Sequence, residues 1–119
     1  MQTEELVELV KEIQTSKSES RTLELKTAEI GCPKKLYDTL SSFSNQDDGG
    51  IIIFGIDESK DYSVVGVYDS QDLQKQINNQ CKEMEPVVRP LITICEVDGK
   101  SVVSAEIPGI EITNRPCYY

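Results

Sequence analysis

The residues best suited to chemistry lie in Glu19-Ser20-Arg21-Thr22-Leu23-Glu24-Leu25-Lys26. The alternation from Thr22 to Lys26 is that of a strand, in which successive side chains point to opposite faces, so Glu24 and Lys26 share one face. That is the geometry of a metal-dependent phosphodiesterase: a carboxylate to hold Mg²⁺ or Mn²⁺, and a lysine near the attacking water or the phosphate charge. Asp57, at the carboxyl end of an apolar run, can supply another ligand. Glu19 lies five residues before Glu24, on the opposite face of a straight strand, so the two converge only if the chain bends near Ser20. The plainer reading is a charged pair on the wet face of a strand.

A second segment, Ser42-Phe43-Ser44-Asn45-Gln46-Asp47-Asp48-Gly49-Gly50, precedes Ile51-Ile52-Ile53-Phe54-Gly55-Ile56-Asp57. Gly49 and Gly50 fit a tight turn needing positive φ, and Asn45 can bond neighbouring backbone groups there. The glycine pair is not a nucleotide loop. Neither GxxxxGK[ST] nor a helix-opening GxGxxG occurs, so the sequence offers no ATP site.

Other chemistries are excluded by composition. The chain has no His and no Trp, which removes a Ser-His-Asp triad, a Cys-His pair and any His-ligated metal site within it. Cys32, Cys81, Cys95 and Cys117 are scattered without a CxxC pair and read as small core residues in a reducing compartment. No apolar run approaches the roughly 18 residues that span a bilayer, and Met1-Gln2-Thr3-Glu4-Glu5 lacks a basic signal region, so the expectation is a cytoplasmic chain without a membrane partner.

The 119 residues, 38% apolar, suit one domain with one core. Thr3 is expected to cap an amphipathic helix of about three turns carrying Leu6, Leu9, Val10 and Ile13. A polar linker over residues 15–20 leads to the strand 22–26, with Leu23 and Leu25 on its buried face. A second helix is expected from Pro33, with Leu36, Leu40 and Phe43 inward. The run 51–56 predicts a central strand buried on both faces, and residues 64–67 its antiparallel neighbour. Asp69 or Ser70 caps a third helix with Leu73, Ile77, Cys81 and Met84 inward, ending before Pro86. Asp98-Gly99 joins strands 91–97 and 101–107 in a hairpin. The order α-β-α-β-β-α-β-β predicts an α+β domain, a mostly antiparallel sheet with helices packed against it. The ending in Tyr118 and Tyr119, with no capping or solubilising tail, suggests an amino-terminal fragment of a longer protein.

Residues 19–26 resemble the E-x4-E-[FL]-K element of the Schlafen-type, Alba-like domain, also called a divergent AAA domain. Phe43-Ser44-Asn45 through Asp57 resembles its A-F-A-N-x-x-G-G-x-[IL]-x-[FI]-G-[IV]-D element, and Val65-Gly66-Val67 and Asn114-Arg115-Pro116 are similar to later parts of the pattern. The resemblance covers roughly residues 5–119. It implies a nucleic-acid-binding α+β domain, found at the amino end of bacterial transcriptional regulators and often followed by an ATPase-like region or a winged helix. In animal Schlafen proteins two such lobes form a basic valley, and some members cleave RNA with an acidic trio. Carried over, the trio is Glu19, Glu24 and Asp57, followed at the second acid by Lys26. Ser42 and Ser44 replace the usual alanines, and Gln46-Asp47-Asp48 makes the turn longer and more acidic. The family's G-S-Y-x-R-x-G segment, which would follow the tyrosines, is missing.

Twelve Lys and Arg against 21 Asp and Glu give a net charge of −9, against a uniformly nucleic-acid-coating protein. Residues 13–46 nonetheless hold five cations against four acids, net +1, and the remainder is net −10. Arg21, Lys26, Lys34 and Lys35 can therefore contact a few phosphates. Three functions follow as expectations: binding DNA or RNA as a module of a bacterial-type regulator; metal-dependent nuclease action through Glu19, Glu24 and Asp57 with Mg²⁺ or Mn²⁺ and Lys26; or a protein-interaction domain, with a homodimer and downstream domains of the parent chain as partners.

Overall fold

The computed structural model describes residues 1–18, 22–34 and 36–119. Helix α1 (Thr3–Ser16) is followed by β1 (Leu23–Lys26), α2 (Tyr37–Ser44), β2 (Gly50–Phe54), β3 (Ile56–Asp57), β4 (Ser63–Val64), α3 (Ser70–Lys82), β5 (Leu91–Val97) and β6 (Lys100–Ile107). Four strands form one sheet in the order β1-β2-β6-β5. The β1–β2 pairing is parallel, and the two pairings that β6 makes are antiparallel. The α+β expectation holds, with helices on both faces.

β2 organises the two layers. Ile52 and Phe54 face α2 and α3, joining Leu40, Phe43, Leu73, Ile77, Val103 and Ala105 in one core. Ile53 faces α1, packing with Leu6, Val10, Ile13, Leu25, Cys95 and Val102 in the other. Ile52, Ile53 and Phe54 are fully buried, and each burial contributes about 1.5–3 kcal/mol. A strand covered on both faces has no position for a polar side chain, hence the unbroken apolar run. Among the described residues no helix is long and apolar enough to cross a membrane.

Four local expectations need correction. The residue before α1 is Gln2, whose backbone N–H donates to the Glu5 carboxylate at 3.0 Å, while Thr3 donates its hydroxyl to the Ile94 carbonyl at 3.3 Å. α1 runs 14 residues, nearly four turns. α2 starts at Tyr37 rather than Pro33 because Gln80 of α3 occupies the preceding loop: its amide donates to the Pro33 carbonyl at 2.8 Å and accepts from the Leu36 N–H at 2.9 Å. The apolar run breaks at Gly55, whose φ is +114°. Residues 64–67 therefore do not neighbour β2: Val64 pairs with Ile56 of β3, the Val65 and Gly66 N–H groups donate to the Gly55 carbonyl, and Val67 turns away to Ser101.

Two expected elements match closely. Asp69 caps α3, accepting from the Gln71 and Asp72 N–H groups at 3.1 Å each. Asp98 and Gly99, both at positive φ, close the β5–β6 hairpin. Cys81, Cys95 and Cys117 are buried and Cys32 partly so, all as free thiols. Burial pushes Cys81 up to about 12 and Cys32 up to about 11, so both stay protonated at neutral pH.

The chain reversal between α2 and β2 is closed by contacts too tight for side chains. Gly49 sits at φ +65°, where a Cβ would overlap the Ile107 carbonyl oxygen, and a Cβ on Gly50 would enter the Phe43 ring. Asn45 completes the junction. Its amide donates to the Ser41 carbonyl at 2.8 Å and the Cys117 carbonyl at 3.1 Å, and its Oδ1 accepts from the Cys117 N–H at 2.8 Å. Replacing Asn45→Ala should lower stability by about 2–3 kcal/mol, since buried backbone groups lose their partners; the urea midpoint measures it. Ser104 of β6 is the opposite case, a fully buried hydroxyl without a hydrogen-bond partner among the described residues. Ser104→Ala should raise stability by about 1 kcal/mol, seen as a higher urea midpoint at unchanged slope.

Candidate nucleic-acid interface

β1 is an edge strand, and its register sets Glu24 beside Ile52, on the α2 and α3 side of the sheet. The period-two expectation for Glu24 and Lys26 is met: Lys26 Nζ lies 3.4 Å from Glu24 Oε1, each side chain about one-third exposed. Glu24 is not on an open wet face, because α2 covers it in part and Thr39 donates its hydroxyl to Glu24 Oε2 at 2.8 Å. Both carboxylate oxygens thus have partners, a neutral hydroxyl and an ammonium.

Asp57 serves the turn that follows it. Its Oδ1 accepts from the Ser59 hydroxyl at 2.6 Å and the Ser59 N–H at 2.9 Å, opening a single 3₁₀ turn, Glu58–Lys60. The Ser59 hydroxyl holds the carboxyl below the usual carboxylate range, so it is ionised at neutral pH. Glu24 and Asp57 share no hydrogen-bond partner among the described residues, and Glu19, the third acid of the expected trio, lies outside them. Among the described residues no group of three or more Cys, Asp or Glu side chains is set to hold a metal ion. The described donors alone do not make an Mg²⁺ or Mn²⁺ site, and no chemical step is drawn through one.

Of the expected phosphate contacts, Arg21 and Lys35 also lie outside the described residues. Lys34 is exposed in the loop that Gln80 fastens ahead of α2 and makes no ion pair among the described residues. Five other described Lys and Arg side chains are held by carboxylates. Lys26, Lys11, Lys17 and Lys60 each pair with a carboxylate, and Arg115 lies 2.9 Å from Asp47. The Arg115 pair draws one acid of the Gln46-Asp47-Asp48 turn toward a cation, while Asn45, Gly49 and Gly50 of the same turn make the backbone contacts described above.

Three residues beside Lys34 carried no signal in the pattern of the sequence. Tyr37 stacks on Tyr119 with ring centroids 3.8 Å apart and planes at 20°. Its hydroxyl donates to Glu83 at 2.7 Å, a bond that pushes the phenol pKa up and keeps it protonated. Gln76 and Asn79 of α3 line the same groove. Only the clustering of Tyr118 and Tyr119 at the end of the sequence hinted at this surface.

Residues 19–116 match the profile of the Schlafen, AlbA_2 family. No curated protein sequence matches the chain. Among solved structures, the N-terminal domain of a RecG-related protein from Nitrosomonas europaea superposes with a TM-score of 0.77 at 28% identity, covering 93% of this chain and 77% of that one. A Corynebacterium diphtheriae protein superposes with a TM-score of 0.60 at 18% identity over 96% of this chain and 23% of its own, which shows the shared fold alone. With the E-x4-E-x-K element and the Asn-Gly-Gly turn both inside the matched span, the chain belongs to the Schlafen AlbA_2 family.

Proposed function

We propose that this chain is a nucleic-acid-binding module, of the kind that serves a transcriptional regulator, engaging phosphates through Lys34 and Lys26 with Arg21 and Lys35. The observation that carries this reading is Lys34, exposed and free of any carboxylate partner among the described residues in a protein whose net charge is −9. An unpaired ammonium in an acidic chain gains more from a polyanion than one already neutralised. Lys26 can also contribute, because partly exposed ion pairs are worth only about 0–1 kcal/mol and exchange a carboxylate for a phosphate at little cost. Family membership supports the same reading, as does the 28%-identical domain, which belongs to a protein related by name to the DNA helicase RecG.

A second reading, metal-dependent cleavage, is favoured by one observation: the lysine and carboxylate of the expected motif lie 3.4 Å apart on one strand face. It requires Glu19 to bring a third carboxylate toward Glu24 and Asp57, with Mg²⁺ or Mn²⁺ as the cofactor.

Titration of labelled DNA and RNA at two salt concentrations tests the first reading. Affinity should fall with a log–log slope of about −3, as expected for three to four released counterions. Lys34→Ala should make that slope shallower by about one. Absence of binding to either nucleic acid at both salts overturns the reading. In the same samples, strand scission that needs Mg²⁺ or Mn²⁺ and disappears in Glu24→Ala would establish the second.

A further inference from the structure

Two adjoining cavities share Lys34 and Tyr37. One, of about 630 Å³, is walled by Asp38, Ser41, Tyr118 and Tyr119. The other, of about 420 Å³, runs along α3 past Gln76, Asn79 and Glu83. We infer that this groove holds an unstacked nucleobase of a single-stranded nucleic acid, its ring against the Tyr37–Tyr119 stack and its phosphate at Lys34. The inference rests on the nucleic-acid reading above and deepens it.

The stack is a built feature. Tyr118 exchanges two backbone hydrogen bonds with Glu85, at 2.7 and 3.0 Å, and Cys117 is clasped by Asn45, so the segment carrying Tyr119 is held at both residues before it. Tyr37 is fixed from the other side by its bond to Glu83. Tyr119 stays 66% exposed and Tyr118 58%. A rigid aromatic face presented to water binds a flat π-system with little ordering cost.

The neighbouring groups suit a base with its phosphate. Lys34 supplies an unpaired cation, and the side-chain amides of Gln76 and Asn79 make no hydrogen bond among the described residues, so they are available to the polar edge of a base. Gln80 is not available, since both ends of its amide hold the loop before α2. Asp38, Asp72 and Glu83 also line the groove, and Glu83 is occupied by Tyr37. Those carboxylates disfavour any phosphate placed deep in the groove, leaving it to a base, and paired bases in a duplex offer no free face to stack, which selects a single strand.

The chain contains five Tyr and no Trp, so quenching of tyrosine emission that is reduced in Tyr119→Ala reports stacking at Tyr119. The test is anisotropy with fluorescein-labelled 12-nucleotide single strands of DNA and RNA, beside the matching duplexes, together with tyrosine quenching by the unlabelled strands. Single strands should bind at least about 10-fold more tightly than duplex and quench the emission. Tyr119→Ala and Tyr119→Leu should each weaken single-strand binding about 5- to 150-fold, the leucine keeping an apolar cover on Tyr37, while Tyr119→Phe retains it. Lys34→Ala should reduce the salt slope and leave the quenching at saturation intact. Salt-dependent binding that is as tight for duplex, or unchanged in Tyr119→Ala, overturns the stacking site and leaves the proposed function standing. Absence of binding by every nucleic acid overturns both.

Discussion

The side-chain amide of Asn45 joins parts of the chain that local structure cannot hold together. Its donor and acceptor meet the carbonyl and N–H of Cys117, and it also reaches back to Ser41. Beside it the Gly49–Gly50 backbone lies against Ile107 and the Phe43 ring with no room for a Cβ. The end of α2, the start of β2, the end of β6 and the carboxyl-terminal segment therefore meet at one junction. An amide suits this position because it both donates and accepts, and a carboxylate there would face two carbonyl oxygens with no proton to offer. The positions of Tyr118 and Tyr119 are consequences of the same clasp.

β2 transmits that constraint to the charged edge of the sheet. Its register with β1 fixes Glu24 against Ile52, and α2, seated by Phe43 on Gly50, brings Thr39 to the Glu24 carboxylate. The Glu24–Lys26 pair is thus set by packing as much as by mutual attraction. A helix placed differently would leave the pair in water, where so short a contact contributes little.

Features with local causes were legible in the sequence. Asp69 precedes α3 by the spacing a cap needs, Asp98-Gly99 suits a two-residue hairpin, and Glu24 and Lys26 share a face because strands alternate. Features caused by distant residues were not. Pro33 is a favoured helix start, yet Gln80, far along the chain, bonds the loop where that first turn would be. Residues 64–67 have strand composition, yet the turn at Gly55 draws the Val65 and Gly66 N–H groups to its own carbonyl, outside the sheet. The candidate site divides in the same way: the alternating charged pair and Lys34 come from pattern and charge, whereas the Tyr37–Tyr119 stack joins residues from separate parts of the chain and leaves no periodic trace.

The acidic net charge and a polyanion ligand are compatible because the two act over different ranges. At physiological ionic strength the Debye length is about 8 Å, so carboxylates on the far side of the sheet are largely screened from a strand lying along α2. In the proposed complex they would slow encounter more than weaken the docked state, where Lys34 and a stacked base would make short-range contacts. Stacking matters most in such a protein, since attraction to a base face does not depend on the protein's net charge. A strongly basic surface would hold any phosphate backbone, duplex or single. Under the proposed reading, a few cations beside an aromatic stack would bind weakly through charge and discriminate through the base.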